Sequence, residues 1–313
     1  MKILLPNSVE LAPSLPPGVH AVSYDVAAPI PEEHLDAEVL VVWANRNRHL
    51  REIAGRMPNL RLVQALLAGA DTLLRAGFPD DVIIASGVGL HDKTVTEHAL
   101  ALTLSLVRRL PQCALAQAEH RWASELGGYL PLHPPGPITT LLDANVLIWG
   151  FGSIGQTLAP VLSALGARVR GVAQTAGERS GFETITDAEL PAALAETDLL
   201  VMILPATEAT HHALNADRLA QLKPDAFVVN VGRGSTVDEA ALAAALNNGH
   251  LAGAALDVTE VEPLPPDSPL WDAPRLLLTP HAAGGRPVGS DELIAANVAA
   301  LMQGQELRNV VAR

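Results

Sequence analysis

Three side chains able to handle a proton and an anion stand at the ends of strand-like apolar runs in the second half of the chain. Arg233 follows Val229-Asn230-Val231 inside Gly232-Arg233-Gly234. Glu262 closes Asp257-Val258-Thr259-Glu260-Val261-Glu262 before Pro263, and His281 ends Leu277-Leu278-Thr279-Pro280-His281. In open α/β sheets ligands bind outside the carboxyl ends of the strands, so these loops belong on one side of such a sheet. Together the three suit proton transfer beside an anionic carbonyl compound. The imidazole gives or takes the proton, a neighbouring carboxylate favours its charged form, and a guanidinium grips a carboxylate through two parallel bonds. Taken singly, each has a plainer reading: a solvated loop arginine, an exposed glutamate, a capping or surface histidine. The combination carries the argument.

A second constellation lies upstream. Val146-Leu147-Ile148-Trp149-Gly150-Phe151-Gly152-Ser153-Ile154-Gly155 is a strand running through Gly-x-Gly-x-x-Gly into a helix. Gly150 permits the tight turn, Gly152 lets backbone approach a pyrophosphate, and Gly155 lets helix and strand pack closely. Ile154, Leu158, Val161, Leu162 and Leu165 then recur at helical spacing up to Gly166, the context that turns a weak motif into a dinucleotide-binding expectation. An acidic residue about 20 positions on normally accepts from the ribose 2′-OH. The matching position is Ala173, 18 residues past Gly155, followed by Gln174 and Thr175. Without that carboxylate a 2′-phosphate is not repelled, and Gln174, Thr175 and Arg179 are placed to contact it. The reading is NADP or NAD, leaning to NADP.

Positioning these groups takes a parallel sheet with helices on both faces, which alternating strand-like and helical segments predict. Strands are expected at Lys2–Leu5, Glu38–Trp43, Leu62–Ala65 and Val82–Ala85. A second set is expected at Val146–Gly150, Arg168–Val172, Leu199–Leu204, Ala226–Val231, Ala254–Val258 and Leu276–Thr279. Thr94–Ala118 reads as a long helix that Pro111 must kink or split. Gly127–Pro137, with four prolines, forbids regular structure and reads as an exposed linker or an arm against a partner subunit. The length, 313 residues, suits two domains. The 34 acidic against 21 basic residues give a net charge of −13 at pH 7, which disfavours nucleic acid as a partner. No apolar run reaches the ~18–20 residues of a membrane span, and Met1–Pro6 is too short for a signal-peptide core. With Cys113 as the only cysteine, neither a disulfide within the chain nor a cysteine metal cluster is available. A soluble cytoplasmic protein is expected. His98, His211 and His212 make no metal-ligand spacing, and no metal is expected; His98 on an apolar helix reads as structural.

These segments together resemble the D-isomer-specific 2-hydroxyacid dehydrogenases over nearly the whole chain. The resemblance rests on Gly150–Gly155, Asp198-Leu199-Leu200-Val201 through Pro205-Ala206-Thr207-Glu208-Ala209-Thr210, Asn230–Gly234, Ala255-Leu256-Asp257 through Glu262-Pro263, and Thr279-Pro280-His281. It implies an α/β fold of two Rossmann-like or flavodoxin-like doubly wound parallel-sheet domains with a cleft between them. The substrate-binding domain would be 1–93 plus 286–313, completed by a C-terminal helix at Ser290–Gly304, and the NAD(P)-binding domain 94–285. His281 would be the acid/base, Glu262 its partner, and Arg233 the electrophilic and carboxylate-binding residue. Asp257 would hold the nicotinamide carboxamide, and Thr94 would lie near the nicotinamide. Ser153, Ile154, Leu204, Pro205, Thr210, Val231 and Gly232 would line the coenzyme. Backbone N–H groups of Leu67, Ala68 and Gly69 would bind the substrate carboxylate. Asn45 lies in Trp43–Asn47, a substrate-facing loop in relatives, where Arg46 suits a phosphate or second carboxylate and equally a solvated position.

The implied reaction is hydride transfer between NAD(P)H and a small 2-keto acid such as glyoxylate, hydroxypyruvate or pyruvate. An aromatic content of 3% favours small polar acids over aryl ones. The resemblance also implies a homodimer through the nucleotide domains. A different class remains open on the same scaffold, an NAD(H)-sensing corepressor-like binding protein. Formate dehydrogenases carry Gln where this chain has Glu262 and are set apart. With the sequence ending at Arg313, no appended regulatory domain is expected.

Overall fold

The computed structural model describes residues 1–127 and 129–312; Gly128, inside the proline-rich stretch, and Arg313, at the end of the expected first domain, lie outside the described residues. The chain forms two compact units, Met1–His91 with Gly285–Arg313, and Asp92–Gly284.

In the first unit β1 (Lys2–Pro6), β2 (His20–Tyr24), β3 (Val39–Val42), β4 (Leu62–Ala65) and β5 (Ile83–Ala85) form a sheet of order β2-β1-β3-β4-β5. Every pairing is parallel. This is the flavodoxin-like order, whose switch point lies between β1 and β3. Adjacent residues of one strand serve opposite faces. Leu4, Leu40, Val42 and Val63 pack against α1 (Asn47–Ala54) and α2 (Asp71–Leu74) through Leu50, Ile53 and Leu73. Ile3, Val39, Val41 and Leu62 pack against the C-terminal helix Ser290–Gln303 through Leu293, Ile294, Val298 and Leu301. Burial on both faces explains why β3 and β4 are almost continuously apolar. One polar pair sets the register of that helix. Buried Asn297 donates to Gln64 Oε1 at 2.6 Å and to Arg308 O at 3.1 Å, and accepts from Arg308 N at 2.8 Å. Left unpaired in that core, such an amide would cost about 1–3 kcal/mol.

The second unit opens with α3 (Asp92–Val107) and α4 (Leu110–Ala118). The helix expected over Thr94–Ala118, kinked or split by Pro111, is split in two. The chain breaks at Arg109, in the left-handed region at φ 54°, and Pro111 sits in the first turn of α4, where its missing N–H has no partner to lose. Then follow β6 (Asn145–Trp149), α5 (Ser153–Ala164), β7 (Arg168–Val172), β8 (Gly177–Arg179), β9 (Phe182–Ile185), α6 (Leu190–Leu194) and β10 (Leu199–Met202). The unit closes with α7 (Ala216–Gln221), β11 (Phe227–Asn230), α8 (Glu239–Asn247), β12 (Gly253–Leu256) and β13 (Leu276–Leu278). The sheet order is β13-β12-β11-β10-β6-β7-β9-β8. Apart from antiparallel β8 it is the Rossmann arrangement, and strand order reverses at β6 and β10, where the glycine loop leaves the sheet. Its core is Leu, Val and Ala with few rings, as the composition implied.

Three strands, β2, β8 and β9, were not expected from the sequence. β2 is an edge strand with most side chains in solvent, and β8 is polar throughout, so neither shows an apolar period. Residues 127 and 129–137 carry no helix or strand. Among the described residues no helix is long and apolar enough to cross a membrane.

Candidate active site

The glycine loop opens on a cavity of about 640 Å³. Gly150, Gly152, Ala173, Gln174, Thr175, Leu204, Pro205 and Thr210 all line it, as does Arg179. Gly150 has φ 103°, and a Cβ there would stand 2.5 Å from Ile203 O, so no other residue fits the turn beside β10. A Cβ on Gly152 would meet nothing within 4 Å, which leaves the space in front of α5 open. The first turn of α5, from Ser153, offers its free N–H groups to an anion. Ser153 Oγ donates to Asp92 Oδ1 at 2.9 Å, tying that turn to the first turn of α3, where Thr94 lies. The cradle therefore fits a dinucleotide.

At the ribose end, β7 finishes on Val172 and Ala173 lines the cavity with no carboxylate. Arg179, on the β8–β9 hairpin, reaches back across this wall. Its guanidinium donates to Thr175 Oγ1 at 2.6 Å, Thr175 O at 3.3 Å and Phe151 O at 3.4 Å. Opposite it lies a residue the sequence reading missed. Arg218 stands 5.0 Å over the Trp149 ring and donates to Ala213 O at 2.7 Å. Nothing in its local sequence, one turn into a short helix capped by Asn215, distinguishes it from a solvated arginine.

The residues expected to handle the proton sit beyond β12 and β13, with Asp257, Glu262 and His281 lining a second cavity of about 510 Å³. His281 Nδ1 is 2.7 Å from Glu262 Oε2, and both side chains are open to solvent, 49% and 38% exposed. Glu262 Oε1 accepts from Thr259 N at 3.2 Å. His281 holds a left-handed backbone at φ 51°, a conformation costly for a residue with a Cβ. Asp257 is what keeps it there. Its carbonyl accepts from His281 N at 2.8 Å, and its carboxylate accepts from Thr279 Oγ1 at 2.6 Å, Ala282 N at 2.8 Å and Ala283 N at 3.0 Å. His98 of α3 adds a bond to the same carboxylate at 3.1 Å and to Thr279 Oγ1 at 3.0 Å. The histidine that the sequence marked as structural thus braces the segment that presents His281.

Arg233 leaves the sheet one strand further on. Its carbonyl accepts from Asn230 Nδ2 at 3.0 Å and from Thr236 Oγ1 at 2.6 Å. Its Nη1 donates to Gly232 O at 2.8 Å. The flanking Gly234 is a matter of space: a Cβ there would lie 1.9 Å from Thr259 C, inside the loop that carries Glu262. Val231 and Gly232 are buried in the same turn and line neither cavity.

The remaining residues singled out in the sequence belong to the first unit. Asn45 Oδ1 accepts from Trp43 N at 3.1 Å and from Tyr24 Oη at 3.0 Å, while Tyr24 Oη also lies 2.9 Å from Val41 O. Burial pushes the Tyr24 phenol well above its ordinary range, with its bond to Asn45 pulling the other way. Leu67, Ala68 and Gly69 form the loop after β4. Leu67 O accepts from Gly87 N at 2.7 Å, and the Leu67 side chain is exposed. Buried His91 donates to Leu66 O at 2.7 Å and stacks on Trp43. Arg46 is exposed at the start of α1.

The NAD binding domain of the D-isomer specific 2-hydroxyacid dehydrogenases matches residues 100–283. A glyoxylate/hydroxypyruvate reductase A from Serratia proteamaculans is 32% identical over 290 residues, covering 90% of this chain and 88% of its own. The D-isomer specific 2-hydroxyacid dehydrogenase of Xanthobacter autotrophicus Py2, solved in complex with NADPH and MES, aligns at TM-score 0.83. It is 31% identical and covers 100% of this chain and 98% of its own. An NADPH-dependent glyoxylate/hydroxypyruvate reductase from Sinorhizobium meliloti, in complex with NADP and sulfate, aligns at TM-score 0.81 with 29% identity, covering 99% and 97%. A dinucleotide cradle at the strand-order reversal and an imidazole–carboxylate pair beyond the later strands agree with these matches: the chain belongs to the D-isomer specific 2-hydroxyacid dehydrogenase family and is an NAD(P)-dependent oxidoreductase.

Proposed function

We propose that the chain reduces a small 2-keto acid of the glyoxylate and hydroxypyruvate class to its D-2-hydroxy acid, with NADPH preferred to NADH. The observation that carries this reading is the contact of His281 Nδ1 with Glu262 Oε2 at 2.7 Å in a half-exposed pair. It leaves the other ring nitrogen of His281 for the substrate oxygen. His281 delivers the proton to that oxygen, and Glu262 fixes the orientation of the ring. Arg233 draws charge from the carbonyl and, with backbone N–H groups of Leu67, Ala68 and Gly69, holds the carboxylate; Asn45 belongs to the same substrate-binding set. Thr94, the Gly150–Gly155 turn with Ser153 and Ile154, Ala173 to Thr175, Leu204, Pro205, Thr210, Val231, Gly232 and Asp257 hold the coenzyme. The chemistry supplied with bound NADPH is hydride delivery to the keto carbon.

The lean to NADPH rests on Ala173, which offers no carboxylate to repel a 2′-phosphate, and on Arg179 across the same wall. Exposed Leu115, Trp122, Tyr129 and Leu132, on and after α4, support this stretch as the interface of a homodimer, which sedimentation equilibrium reads directly. A cytoplasmic location fits a chain with one free cysteine. The coenzyme-sensing, corepressor-like alternative draws no support from relatives that carry reductase and dehydrogenase names.

A panel of small 2-keto acids run with NADPH and NADH in parallel tests the reading. Turnover with glyoxylate or hydroxypyruvate is expected, and Arg179→Ala should raise KM for NADPH by ~10-fold or more, the loss of one charge-assisted contact, while sparing NADH. Turnover with none of the panel would overturn the function. An equal effect on both coenzymes would overturn the role of Arg179.

A further inference from the structure

We propose that His211, His212 and Glu260 form a binding site for a borderline divalent transition-metal ion such as Zn²⁺. His211 and His212 follow the short turn Glu208–Thr210, and their rings stack with centroids 4.1 Å apart and planes at 28°. His212 Nε2 is in direct contact with Glu260 Oε1, which lies 48 residues away. One ligand atom from each of the three side chains falls within 4.8 Å of the others.

The donor set selects the ion. Two imidazoles and one carboxylate suit Zn²⁺, Ni²⁺ or Cu²⁺, whereas Mg²⁺ and Ca²⁺ take oxygen ligands almost exclusively. Zn²⁺ bonds of ~2.0–2.2 Å in a tetrahedron put donor atoms ~3.4 Å apart. Reaching that spacing takes side-chain rotation on both loops: the direct His212–Glu260 contact opens and the exposed His211 ring swings in. Three protein ligands leave a fourth position open, as in zinc sites that keep a water or take up a further ligand. An ion pair between His212 and Glu260 uses one imidazole only and gives the second, stacked within reach, nothing to do. A shared cation uses both.

The backbone holds this geometry from two sides. His212 N donates to Ser235 O at 2.8 Å, and Glu260 N donates to Glu239 Oε1 at 2.7 Å, at the start of α8. The two loops joined by the ion are those that carry Thr210 and Glu262. A bound cation would therefore clamp the coenzyme-lining loop to the loop of the acid–base pair.

The test uses tag-free, chelator-treated full-length protein, with a chromogenic chelator competing for Zn²⁺. One ion per chain is expected in competition with the chelator, and His211→Ala and Glu260→Gln should each weaken binding at least ~10-fold. Both positions are surface side chains, and a far-UV spectrum establishes that the variants fold. Cys113→Ser should bind as the parent does. Co²⁺ in place of Zn²⁺ should give the visible absorption of a four-coordinate nitrogen–oxygen site, lost in His211→Ala. Failure to compete with the chelator, or equal affinity in parent and both variants, would overturn the site. The readout is metal binding alone, so either outcome leaves the reductase reading to its own test.

Discussion

Two carboxylate–histidine pairs stand at the ends of neighbouring strands, and their surroundings set them apart. Asp257, at the end of β12, is 1% exposed, and its carboxylate meets Thr279, Ala282, Ala283 and His98. Glu262, five residues on, is 38% exposed, and among the described residues its side chain meets Thr259 N and His281. A carboxylate buried and saturated with donors is committed to holding backbone. One left half in water with a single imidazole keeps its partner ring oriented and accessible. The same chemistry thus does two jobs, and burial decides which.

The comparison breaks most directly at His281. His281→Ala should lower kcat ~10²–10⁴-fold, the usual span for a lost acid–base group, with coenzyme Kd unchanged in a fluorescence titration. Survival of turnover would end the assignment. Next in size is the contrast between the carboxylates themselves. Asp257→Ala leaves His98 and two N–H groups without their acceptor and should cost about 3–5 kcal/mol of stability in urea unfolding. Glu262→Gln breaks an exposed pair, should cost less than about 1 kcal/mol, and should act on kcat instead. Equal stability losses in the two variants would erase the distinction.

A further contrast comes from Tyr24, a buried and hydrogen-bonded acid in the other unit. Its phenol titrates higher in the folded chain than in the unfolded one, so the folded state holds the proton more tightly. The stability it contributes is complete below pH ~10 and declines as pH rises above that value. Tyr24→Phe should cost about 0.5–1.5 kcal/mol at neutral pH, and its Tm should converge on that of the parent above pH ~10. A constant gap across that range would show that burial does not govern the proton.

Legibility from sequence followed burial as well. Strands such as Leu62–Ala65 and Leu199–Met202 were readable because a sheet covered on both faces writes apolar runs, and the glycine loop because only glycine satisfies its contacts. The β8–β9 hairpin was invisible: β8 is polar, β9 offers only Phe182 and Ile185 as apolar positions, and the turn runs through Ser180 and Gly181 with φ of 52° and 82°. The two units and the family's residues came from spacing and resemblance. What spacing cannot carry is partnership across the fold. Neither the brace from His98 to Asp257 nor the approach of Glu260 to His212 leaves a local mark, because each joins segments that only the sheet brings together.

That hairpin also bears on how the molecule can change. It hangs on the sheet edge through two residue pairs, Gly171 with Thr184 and Val172 with Ile185, and it carries the arginine that faces the ribose wall. Gly177 and Glu178 of β8 are solvent-exposed and Arg179 is half-buried outside the hydrophobic core, so β8 can be exchanged without disturbing a packed layer. Coenzyme preference, on this architecture, is an interchangeable part. Directed evolution toward NADH has a short stretch to search, while the acid–base pair on the far strands stays as it is.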